Sequence, residues 1–130
     1  MTDEFLKDCA KYGHCKFVKD EEKVWSTIKC CGIKYWYCKD ISDREELWST
    51  IKEDMWKCNY CMDVEDRKEV WSTIRDEHCK YNYCRDFIDR KELWSTIKDI
   101  KWKYYYCRDV KMRFFFSYVW YKIIKFLKGE

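Results

Sequence analysis

The tetrapeptide Trp-Ser-Thr-Ile occurs four times in this chain, with its tryptophan at Trp25, Trp48, Trp71 and Trp94. Each step is 23 residues, and a cysteine follows at the same step at Cys38, Cys61, Cys84 and Cys107. The full copies read EKVWSTIKCCGIKYWYCKD, ELWSTIKEDMWKCNYCMD, EVWSTIRDEHCKYNYCRD and ELWSTIKDIKWKYYYCRD. A tandem repeat of this period constrains the fold more than any other feature, because one unit cannot bury its apolar face alone and must stack on its neighbours. The register extends outward into weaker copies. Lys11 to Glu22 aligns with the second half of a unit, with Cys15 one period before Cys38, and VWYKIIK near the C-terminus echoes VWSTIK. The organisation expected is a degenerate N-terminal unit over 1–23, four units over 24–115, and a basic aromatic segment over 116–130.

Helical periodicity describes one unit well. Advancing 100° per residue from Leu93 puts Trp94, Ile97, Ile100, Tyr104 and Cys107 within an arc of roughly 140°, the width of a core-facing stripe. In the second copy Leu47, Trp48, Ile51, Met55, Cys58 and Cys61 form a similar arc. Acids precede each tryptophan, as suits a first helical turn, and Ser42 with Glu45 has capping-box spacing. The pattern predicts a helix of about 18 residues per unit, with turns near KDIS, MDVE and RDFI.

Twenty-three steps of 100° rotate each copy by about 140° from the last, so one continuous helix would wind its apolar stripe around the axis. The fold expected is therefore mainly α, an up-and-down array of about five short helices. Its core would hold Trp25, Trp48, Trp71 and Trp94, Ile28, Ile51, Ile74 and Ile97, and the cysteines Cys38, Cys61, Cys84 and Cys107. The alternative is a β-solenoid with two short strands per repeat, since KYNYC and KYYYC are rich in strand-favouring tyrosine. Against it stand the absence of proline and the presence of three glycines only, too few for tight corners.

Charge is mixed along the body. The chain carries +3 overall, and residues 111–130 supply more than that, which does not point to a nucleic-acid partner. The N-terminal MTDEFLKDCA lacks the basic and apolar regions of a secretory signal, and no run reaches the length of a membrane span, so a cytoplasmic setting is expected. The segment 113–130 mixes aromatics and lysines in a way that suits either a capping helix or contact with a membrane surface.

Cysteine chemistry is the strongest candidate for a site. Cys58, Cys61, Cys79 and Cys84 read C-x2-C-x17-C-x4-C, with His78 alongside, a spacing within the range of structural zinc sites. A column of thiolates would also suit Cu(I). The competing explanation is that Cys61 and Cys84 belong to a column of small apolar residues in a helix interface, which needs no metal or other cofactor. No catalytic constellation is visible: His14 and His78 each precede a cysteine, and adjacent residues on a helix diverge by 100°. The function expected is non-enzymatic, a scaffold binding a protein partner or itself. A cysteine-coordinated metal protein is the alternative, and membrane association through 113–130 is a further one. Near-identical copies are also what a recent tandem duplication leaves without any selected activity.

Overall fold

The Thr side chain of each Trp-Ser-Thr-Ile turns back on the backbone, and this ends the helix that carries the tryptophan. The computed structural model shows it for residues 2–111 and 115–129, with the side chains of 115–120 outside the description. In the first copy Thr27 Oγ1 donates to the Val24 carbonyl at 2.7 Å, and Thr50, Thr73 and Thr96 bond the equivalent carbonyls of Leu47, Val70 and Leu93. The Thr and Ile amides then bond three residues back instead of four, as in Thr27 to Val24 and Ile28 to Trp25. Such back-bonding tightens a last turn, and two consecutive β-branched residues do not favour continuing it. Three residues outside any helix follow before the next helix begins, the last of them extended.

The result is mainly helical, with ten helices and no strand among the described residues. Long helices are α1 (Asp3–Phe17), α3 (Cys31–Asp40), α5 (Asp54–Asp63), α7 (Glu77–Asp86), α9 (Ile100–Asp109) and α10 (Phe115–Leu127). Between them lie four-residue helices: α2 (Glu22–Trp25), α4 (Glu45–Trp48), α6 (Lys68–Trp71) and α8 (Lys91–Trp94). The chain divides into two compact units, Met1–Ile74 and Arg75–Glu130.

In the first unit α1 packs on α3 and α3 on α5, and each long helix touches the short helix that follows it. Asp8, early in α1, accepts the amides of Lys29 and Cys30 just before α3, whereas Tyr12, one turn later, donates to Asp40 at the end of α3. Both partners advance together, which is the pairing of helices running the same way. Cys31 and Tyr35 on α3 repeat it, reaching Lys52 before α5 and Asp63 at its end. The second unit shows the same order: Glu77 accepts the amides of Lys98 and Asp99, and Tyr81 donates to Asp109. There α7 packs on α9, and α9 on α10.

Two expectations are thereby corrected. The 18-residue helix is two helices separated by the Ser-Thr-Ile turn, so the described residues hold ten helices instead of about five. The pairs α1 and α3, α3 and α5, and α7 and α9 run parallel, because the short helix and the segment after it bring the chain back before the next long helix starts. The strand alternative fails for the same residues that suggested it, since KYNYC lies inside α7 and KYYYC inside α9.

The break also sets which of these side chains are buried. Trp25, Trp48, Trp71, the four isoleucines at 28, 51, 74 and 97, and Cys38, Cys61 and Cys84 are buried. Trp94 and Cys107 are partly exposed. Met55 and Ile100, which a single helical phase would bury, are 53% and 41% exposed. They fall just after the break, where the phase restarts. The most deeply buried tyrosines are Tyr37, Tyr60 and Tyr83, each with no exposed surface.

Candidate functional site

Each buried tyrosine hydroxyl must find partners, and the chain supplies them from charged residues in the joins. Tyr37 donates to Asp20 and accepts from Arg44 Nε at 2.8 Å, while Arg44 also pairs with Asp20 at 2.9 Å. Tyr60 donates to Asp43 at 2.8 Å, and Arg67 bonds Tyr60 and Asp43 at 2.8 and 2.9 Å. The Arg44 and Arg67 guanidiniums lie 4.6 and 4.7 Å from the ring centroids of Trp25 and Trp48. In the second unit Arg90 Nε donates to Tyr83, and Tyr106 donates to Asp89. Lys111 takes the arginine's part beside Asp89, above the rings of Trp94 and Tyr106.

This network pushes Tyr37, Tyr60 and Tyr106 well above their ordinary range, through burial first and with the facing carboxylates adding to it. Asp20 moves the other way. Burial would raise it, but the Tyr37 hydroxyl and Arg44 outweigh that and hold it below the usual carboxylate range. The Tyr37 and Tyr60 hydroxyls are each engaged by a carboxylate and an arginine. The arrangement ties segments together.

A second recurring link uses lysine. Lys11 Nζ donates to the Thr27 carbonyl at 2.9 Å, Lys34 to Thr50 Oγ1 at 2.8 Å, and Lys57 to the Thr73 carbonyl at 3.4 Å. Each cation thus sits at the C-terminal end of a short helix from the next copy, where the macrodipole favours it.

The metal candidates are distributed as follows. Cys58 and Cys61 lie on α5 in the first unit, both buried; Cys79, Cys84 and His78 lie on α7 in the second. Cys58 stands where Tyr12, Tyr35, Tyr81 and Tyr104 stand in other copies. The thiols of Cys15, Cys38, Cys61 and Cys84 each contact the carbonyl six residues on, at Glu21, Arg44, Arg67 and Arg90, over 3.7–3.9 Å. Burial pushes the Cys38 and Cys84 thiols up to about 11, away from the thiolate a soft metal takes. His78 stacks on Trp102, ring centroids 4.6 Å apart. Among the described residues no group of three or more His, Cys, Asp or Glu side chains is placed to hold a metal ion.

An open apolar cleft of about 420 Å³ crosses the N-terminal ends of α1, α3 and α5. Thr2, Phe5, Cys30, Cys31, Gly32, Ile33, Glu53 and Trp56 line it. Gly32 makes the floor: a Cβ there would come within 2.9 Å of the Trp56 indole, so only glycine lets the ring lie across the backbone. Trp56 also packs 5.4 Å from Tyr35, which meets the half-exposed Trp36 at 5.4 Å.

No family model matches the chain, and neither the curated proteins nor the solved structures compared with it include a match.

Sequence reasoning missed the tyrosine, arginine and lysine columns. A signal was present: Tyr37, Tyr60, Tyr83 and Tyr106 are the same in the four full copies, and Asp20, Asp43, Asp66 and Asp89 recur at the same 23-residue step. From spacing alone those acids suit a first helical turn. The arginines instead reach carboxylates 24 residues back.

Proposed function

We propose that this chain is a non-enzymatic helical-repeat scaffold that receives an apolar side chain of a protein partner in the cleft between Phe5 and Trp56. The cleft carries the reading. Its lining is largely apolar, it is open to solvent, and its floor is fixed by the contact of Gly32 with Trp56. Aromatic anchors in pockets that a partner fully desolvates dominate binding energy in protein interfaces. The polar side chains that would otherwise suggest chemistry are engaged in holding helices to one another, which supports a scaffolding role. Repeat proteins present such surfaces along their stacked units.

The test is affinity capture with the whole chain and with Phe5→Ser, alongside thermal melts of both and light scattering of the isolated protein. A partner, or a second copy, that is held by the original chain and released by a Phe5→Ser variant of unchanged melting temperature supports the reading. Identical capture and identical mass for both proteins contradicts it.

A further inference from the structure

The second unit carries fourteen lysines and arginines against eight acids, a net +6, whereas the first unit carries −3. Within it α10 packs on α9 through part of its surface. Lys122 and Lys125 reach back over the Tyr104 ring, 5.8 and 4.8 Å from its centroid, where Arg108 also lies at 5.9 Å. Three cations thus gather on one ring of α9. Ile123, Phe126 and Leu127, spaced i, i+3, i+4, form a different stripe of α10 and point to solvent. Phe126 is 81% exposed and Leu127 76%, with the exposed Lys128 beside them.

We infer that α10 docks on an anionic lipid surface, its Ile123–Phe126–Leu127 stripe entering the headgroup region while the exposed Lys122 and Lys128 meet lipid phosphates and carboxylates. An exposed apolar stripe bordered by lysines is the arrangement of an in-plane interfacial helix, whose binding adds apolar burial to attraction by acidic lipid. No helix among the described residues is long and apolar enough to cross a membrane, so the contact is with the surface. Single-stranded nucleic acid would use the same charge, but it stacks bases on open aromatic faces. Tyr104 is covered by cations, and the open stripe is largely aliphatic. The cleft of the first unit plays no part in this contact. Met112, Arg113, Phe114 and Glu130 lie outside the described residues and are not needed for it.

Co-sedimentation of the whole chain with vesicles tests the inference. Phosphatidylcholine–phosphatidylserine vesicles should bind it at least about tenfold more tightly than phosphatidylcholine alone, and added salt should weaken the binding. Phe126→Ser with Leu127→Ser should cut that binding about tenfold without changing the melting temperature, since neither side chain is buried. Lys122→Gln with Lys128→Gln, both at exposed positions, should narrow the difference between the two vesicle types. Failure of the original chain to bind acidic vesicles overturns the inference. So does undiminished binding by the Phe126/Leu127 variant, or binding of a single-stranded oligonucleotide in place of vesicles.

Discussion

His14 Nε2 and Glu21 Oε2 lie 2.8 Å apart, in the positions that Tyr60 and Arg67 occupy two copies later. The seven-residue spacing is kept while both chemical partners change. The hydrogen bond from His14 is the main cause that holds Glu21 below its ordinary value. If the two pairs are equivalent links, exchanging one partner alone leaves a mismatched pair. His14→Tyr and Glu21→Arg are each expected to lower the melting temperature by less than about 4 °C, as befits a partly exposed pair. The double variant should recover most of the loss, which a thermal melt of the three proteins reads directly.

Lys34 is buried, and its ammonium bonds Thr50 Oγ1 and, at 3.5 Å, the Thr50 carbonyl. Lys34→Met keeps the stem and removes the donor. A loss of about 0.5–1.5 kcal/mol in urea denaturation is expected, the net worth of a hydrogen bond whose acceptor residue, Thr50, is itself exposed. Lys39→Met, on the exposed side of α3, should stay within about 0.5 kcal/mol. Equal effects at the two sites would remove the lysine link from the account.

Thiol reactivity should separate the cysteines sharply. With Cys38 and Cys84 raised to about 11 by burial, only about one in a thousand of each is thiolate at pH 8. Alkylation followed by peptide mass spectrometry should find Cys9 and Cys31, which are partly exposed, modified first. Cys38 and Cys84 should react on the timescale of unfolding.

Acid stability follows from Asp8, which has no exposed surface. Burial would raise its carboxyl, but the amides of Cys30 and Lys29, the Cys30 thiol and Lys11 outweigh that and hold it below its ordinary value. A depressed carboxyl adds stability above its unfolded value near 3.9, and that stability disappears as pH falls through the folded value. Asp20 shifts in the same direction. Denaturation midpoints should therefore fall between about pH 5 and pH 2. Asp8→Asn should be less stable at pH 7 by about 1–3 kcal/mol and show a shallower acid limb.

Helicity was legible because Trp and Ile recur at helical spacing, and the buried tryptophans and isoleucines follow from it. The break was not, because Ser and Thr fit a helix flank as readily as a turn, and only the Thr bond to the carbonyl three residues back decides between them. Losing the break meant losing the phase, which is why Met55 and Ile100 were expected inside and Tyr60 was not. The C-x-x-C of Cys58 and Cys61 was visible as a pattern, but Cys58 fills a tyrosine column and Cys61 reaches a backbone carbonyl. Spacing along a chain carries no information about that direction. The Phe5–Trp56 cleft had no sequence signal, since it is made by three helix ends from three copies.

The Tyr–Arg–Asp link is the element that joins one copy to the next. A double-mutant cycle of Tyr60→Phe and Arg67→Met, followed by urea denaturation, measures it most directly. Tyr60→Phe alone should cost about 1.5–3 kcal/mol, the range for a hydrogen bond to a charged group, and the pair should couple by more than about 0.5 kcal/mol. Additive losses, or a Tyr60→Phe variant as stable as the original chain, would contradict the link.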